Sequence, residues 1–140
     1  MTSTAESLTF ATRFRAPALV ALGGAAAFTA LRVRDPHTEG SWGLCPFLWL
    51  TGRPCPGCGG LRAVNDLTHG DVAAAVSSNV LVVALVAVLA VAWVVWVVRT
   101  ARGVDAPMIR IGARTSWILV GVVVVFGVVR NLPFGAWLAP

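Results

Sequence analysis

Three apolar runs, each bounded by arginine, divide the chain. The first covers residues 16–31, rich in Ala and Gly, between Arg15 and Arg32. The second is uncharged over residues 72–98 and almost wholly aliphatic from Val80. The third covers residues 115–129, between Arg114 and Arg130. A spanning helix needs about 20 residues, so the second run passes easily while the first and third must borrow from their flanks. The pattern predicts membrane helices over about 16–33, 72–98 and 115–132. Asp71, directly after Gly70, is a good N-cap for the second. Trp93 and Trp96 near Arg99, and Trp117 at the start of the third, stand where interfacial anchors stand. A soluble protein is a poor fit, because nothing amphipathic remains to cover three such helices. The first run has a rival reading as a signal peptide, with Arg13 and Arg15 as the basic region and Ala25-Ala26-Ala27 as the cleavage site.

Between the first two runs the pattern changes. Residues 35–43, DPHTEGSWG, are turn formers and small polar residues, hence a loop. All three cysteines, Cys45, Cys55 and Cys58, fall in the next stretch, LCPFLWLTGRPCPGCGGLRA, residues 44–63. Its breakers, Pro46, Gly52, Pro54, Pro56, Gly57, Gly59 and Gly60, predict a cysteine loop over 44–60 rather than a helix. Phe47-Leu48-Trp49-Leu50 inside it is an apolar patch suited to the membrane interface. A short helix over 61–69 follows, on which Arg62 and Asp66 are spaced to pair and His69 shares the face of Asp66.

Composition sharpens this picture. Of 140 residues, 57% are hydrophobic and 12% charged, against about 25% charged in an ordinary soluble domain; the mean hydropathy is +0.80. The length allows one domain, residues 16–140, behind an N-terminal arm, residues 1–15. The net charge of +5 comes from arginine alone among the basic residues, as in a GC-rich bacterial genome. These arginines sit at the ends of apolar runs, where they orient helices and meet lipid head groups, so nucleic acid is not the expected partner. Residues 99–114 carry Arg99, Arg102, Arg110 and Arg114 and share a side with Arg13 and Arg15. Arg32, Arg34, Arg53, Arg62 and Arg130 fall on the other side. Positive-inside reasoning places residues 99–114 in the cytoplasm and the cysteine loop outside, in a multi-pass protein of the plasma membrane.

Three chemistries fit C-x9-C-x2-C. Cys55-Pro56-Gly57-Cys58-Gly59 has the form of a zinc knuckle, but a structural zinc takes four ligands. With Cys45 the chain offers three thiolates, and a fourth ligand would come from His37, His69, Asp66 or a second subunit. Thiol–disulfide chemistry would use Cys55 and Cys58 at the start of the short helix, whose dipole lowers thiol pKa, with Cys45 resolving. The plain structural alternative is a disulfide from Cys45 to Cys55 or Cys58. Gly59 stands where a c-type haem site would require His. Polar residues in oily surroundings need partners. Asn79, after Ser77-Ser78, is expected to hydrogen-bond a neighbouring helix. Arg130 either pairs with Asp66 or Asp71 or snorkels to head groups. His37 reads as a turn residue more readily than as a ligand. No nucleophile–base set of a hydrolase can be assembled.

The chain resembles the bacterial membrane proteins of the domain-of-unknown-function 2752 family. The resemblance lies in Asp35-Pro36-His37, Cys45-Pro46-Phe47, Thr51-Gly52, Cys55-Pro56-Gly57-Cys58-Gly59, Leu61-Arg62-Ala63, His69-Gly70-Asp71, Ala75 and Asn79. It resumes at Arg130-Asn131-Leu132-Pro133 and Trp137-Leu138-Ala139-Pro140, and the D-P-H lead-in is similar to the actinobacterial branch. It implies a small integral membrane protein in which Arg62, Asp71, Asn79, Arg130 and Asn131 cluster with the cysteines; Asp66, spaced to pair with Arg62, is expected in the same cluster. It implies no reaction.

The expectation is an all-α membrane protein of three helices with a Cys/Pro/Gly-rich loop and a short interfacial helix between the first two. Its partners would be the lipid bilayer and another membrane protein or a second copy. It would act as a non-enzymatic accessory or assembly component, its loop stapled or zinc-bound. The alternative is a thiol–disulfide oxidoreductase or redox sensor.

Overall fold

A computed structural model describes residues 2–38, 40–43, 45–104 and 112–138, with side chains from Thr12 onward except that of Ala136. Leu44, Arg110 and the closing Ala139-Pro140 lie outside the described residues. The elements in chain order are helices α1 (Thr2–Val33), α2 (Pro46–Thr51), α3 (Gly60–Thr68), α4 (Val72–Ala101) and α5 (Ala113–Val129), then a 3-10 turn at Pro133–Leu138. The described residues contain no strand, and the all-helical class expected from the apolar runs is what forms. Thr12–Val33 and Val72–Ala101 are long and apolar enough to cross a membrane, and α5 is a shorter apolar helix.

Burial is inverted relative to a water-soluble domain. The buried apolar residues are Leu31, Ala63 and Ala75, whereas Asn65, Asp66, Asn79 and Arg130 are buried polar groups. Valine and leucine of α4 and α5 point outward along most of both helices. Where hydrocarbon replaces water outside, polar groups must find partners within the protein, and this distribution follows.

The N-terminal arm is helical and continuous with the first apolar run, because no breaker precedes Pro17. The loop before α3 also differs from expectation: Phe47-Leu48-Trp49-Leu50 lies in a helix, not an irregular patch. Pro46 opens α2 and Gly52, in the left-handed conformation at φ 67°, closes it. Proline at the first position and glycine just past the last are strong helix boundaries, so these two breakers delimit a helix instead of preventing one.

Asp71 caps α4 as expected, its carboxylate accepting the Ala74 N–H at 2.9 Å. The helix is interrupted at Asn79, whose backbone is extended. Asn79 Oδ1 accepts the Val82 N–H at 3.1 Å, which makes Asn79 the N-cap of a second helical segment. From Val80 onward that segment rises roughly 33 Å at about 1.5 Å per residue, enough for a ~30 Å hydrocarbon core.

Short α3 packs against α4 and α1. Asn65 Nδ2 donates to Leu31 O at 2.8 Å, and Arg32 donates to Thr68 O. Farther along, Trp93 Nε1 donates to Pro17 O at 3.1 Å, so Trp93 joins α4 to α1. Trp117 is 74% exposed.

Candidate metal centre

The cysteine block is built from tight turns. Cys58 N–H bonds Cys55 O at 3.1 Å and Gly60 N–H bonds Gly57 O at 2.9 Å, folding Cys55-Pro56-Gly57-Cys58 back on itself. Gly59, at φ 79°, passes the chain into α3. Cys45 enters from the other side as the N-cap of α2. The three sulfurs converge, Cys45 Sγ lying 3.5 Å from Cys55 Sγ and Cys55 Sγ 3.0 Å from Cys58 Sγ. All three lie within 4.8 Å of one another, and none is disulfide-bonded. The Cys55 N–H also donates to Cys58 Sγ at 3.2 Å.

Side chains from α4 and from the end of α5 hold this block by its carbonyls. Asn79 Nδ2 donates to Pro56 O at 2.9 Å and Cys58 O at 3.0 Å. Arg130 Nη1 donates to Cys55 O at 2.9 Å, Cys58 O at 3.1 Å and Pro56 O at 3.3 Å. Asn131 Nδ2 reaches Pro54 O at 2.9 Å. The carbonyls of residues 54, 55, 56 and 58 are thereby tied to α4 and to the end of α5.

Arg130 is 1% exposed, and its guanidinium lies 5.1 Å from the Phe126 ring centroid. Its Nε and Nη2 are buried with no hydrogen-bond partner. The expected pairing with Asp66 or Asp71 does not form: the loop carbonyls occupy the guanidinium, Asp71 caps α4, and Asp66 is engaged elsewhere.

Asp66 faces the preceding loop. Its Oδ2 accepts from Ser78 Oγ at 2.9 Å, and its Oδ1 lies 3.3 Å from His37 Nε2. His37 Nδ1 in turn lies 2.8 Å from Asp35 Oδ1, which also accepts the His37 N–H. Both ring nitrogens of His37 are thus turned to carboxylates, and His37 does not join the sulfurs. His69 closes α3, its Nδ1 2.9 Å from Asn65 O. Arg62 donates to Pro36 O at 3.4 Å instead of pairing with Asp66. Of the polar residues expected to cluster with the cysteines, Asp71 stands apart as the α4 cap and the others fall into two groups. Asn79, Arg130 and Asn131 hold the cysteine block, while Asp66 and Arg62 hold the loop beside it.

The thiols are electrostatically unequal. Cys45 is held below the usual thiol range, first by the Leu48 N–H of α2 and then by the neighbouring thiols. Burial pushes Cys58 up to about 12, with hydrogen bonding from Cys55 adding to it. The dipole of α3 was expected to activate Cys58 and does not, because desolvation outweighs a short helix. Cys45 and Cys58 also line an open hollow of about 620 Å³, walled by Pro36, Trp42, Gly59, Gly60 and Arg62.

A small helical protein, apolar outside and polar within, carrying a three-thiol loop pinned by its own helix ends, is the class these features define. Over residues 45–93 the chain matches the family model described as Protein of unknown function (DUF2752). The match runs from Cys45 to Trp93, taking in all three cysteines, α3 and Asn79. No curated protein and no solved structure matches the chain.

Proposed function

We propose that this protein is a non-enzymatic accessory component of the bacterial plasma membrane, whose ordered cysteine loop, on the extracytoplasmic side, docks another membrane protein. The observation that carries this reading is the bonding of turn carbonyls by Asn79, Arg130 and Asn131. Such bonding fixes the loop's shape from two helices at once, as a docking platform needs. Beside it, the apolar α2 leaves Phe47, Trp49 and Leu50 exposed, and aromatic side chains of this kind anchor contacts. The Trp93–Pro17 bond supports retention of the first helix rather than signal cleavage.

Thiol–disulfide exchange by Cys55 and Cys58 is the competing reading, which the 3.0 Å approach of their sulfurs favours. Cys58→Ser separates the two. Removing a sulfur that accepts the Cys55 N–H is expected to lower folded, protease-resistant protein in membranes several-fold, as about 1–2 kcal/mol does. Wild-type accumulation with a partner held through a reductant-sensitive bond would establish the exchange reading instead.

A further inference from the structure

The deepest anomaly in the molecule is a buried positive charge beside three sulfurs. Arg130 is shielded from solvent, bonds only carbonyls, and leaves two guanidinium nitrogens unpartnered. No carboxylate pairs with it among the described residues. A buried charge without a counter-charge is costly, so the site calls for an anionic partner, and the cysteines are the groups able to become one.

We infer that Cys45, Cys55 and Cys58 together bind one thiophilic divalent cation, zinc by chemical class, with its fourth coordination position opening into the hollow lined by Trp42 and Arg62. This deepens the reading above, on which it rests for an ordered loop. The charges decide the class of metal. A divalent ion with three thiolates carries a net −1, which Arg130 neutralises; a monovalent ion would leave −2 against the same single guanidinium. A disulfide between two of the sulfurs fits less well, because the third lies close enough to exchange with it.

Geometry agrees. Zinc–sulfur bonds of about 2.3 Å in a tetrahedron place sulfurs roughly 3.8 Å apart; two sulfur pairs at 3.5 Å and 3.0 Å, with all three sulfurs within 4.8 Å of one another, need only a small spread to reach that edge. The amide donor on Cys58 Sγ is of the outer-shell kind that supports a bound thiolate.

His37, one of the fourth ligands the sequence offered, is held between Asp35 and Asp66. With no fourth protein ligand among the described residues, three ligands and an open position remain, the arrangement that lets a metal take an exchangeable ligand. Cys45 and Cys58 face the hollow, and Arg62 lies on its wall. The ligand class that fits is a small anionic donor, drawn to the metal and to Arg62 together.

The test uses the full chain, reduced and metal-stripped in detergent, titrated with Co(II) and then with azide. The expected result is one Co(II) per chain, with sulfur-to-metal charge transfer and tetrahedral visible bands that shift when azide is added. Bands that form but ignore azide would overturn the open fourth position. Absence of charge transfer in the reduced protein would overturn the metal centre itself. That last outcome would leave the docking reading intact, since protease resistance of the Cys58→Ser protein reads it separately.

Discussion

Replacing Asn79 by alanine and Arg130 by methionine together should destabilise the protein by more than the two single changes summed. Each side chain donates to Pro56 O and Cys58 O. When either is removed the other still satisfies both carbonyls. Asn79→Ala then costs its bonds and the cap on Val82, about 2–3 kcal/mol. Arg130→Met costs charge-assisted bonds of about 1.5–3 kcal/mol, partly offset by relief of a buried charge. Only the double variant leaves two buried carbonyls without a donor among the described residues, which adds about 1–3 kcal/mol. Unfolding in mixed detergent micelles measures all four corners of the cycle. Additivity within about 0.5 kcal/mol would show that the two side chains do not share the loop.

The second large effect concerns the seat of α5. A Cβ on Gly127 would fall 2.7 Å from Pro56 Cγ, whereas one on Gly121, in the same helix, meets nothing within 4 Å. Alanine at Gly121 should therefore be neutral or stabilising by up to about 1 kcal/mol, the helix-propensity difference. At Gly127 the same change must push α5 away from the cysteine block and should cost about 1–3 kcal/mol despite that propensity gain. The paired measurement removes propensity and isolates the contact. Equal effects at both positions would mean that α5 does not rest on Pro56.

Much of this architecture was legible because membrane sequences write their constraints plainly. Long aliphatic runs between arginines mark helices, and Gly70-Asp71 marks the start of α4 by turn and cap chemistry. The convergence of Cys45 with Cys55 and Cys58 also follows from breakers that turn the chain back. Other features were hidden. Asn79 sits inside an uncharged run, so hydropathy alone carries the helix straight through it. The signal that marks the break is local: Ser77-Ser78-Asn79, three cap-forming residues directly before an unbroken aliphatic stretch. Arg130 was expected to seek a carboxylate or lipid head groups, because side-chain identity is what sequence displays. Its acceptors are backbone carbonyls of the cysteine turn, which every residue carries and no sequence pattern reveals. The contact between His37 and Asp66 was hidden for a related reason. The neighbour Asp35 is visible in the sequence, but Asp66 reaches His37 only once α3 has folded back beside the loop.

The cysteine state in native membranes tests the central claim, three thiolates on one cation, most directly. Membranes are acid-trapped and alkylated with and without prior reduction, and with and without a strong chelator, and labels are counted by intact mass. Three thiols that label only after chelation are the expected result. One freely labelled thiol with a reducible pair would contradict it and leave a disulfide staple, and three thiols labelling without chelator would contradict both.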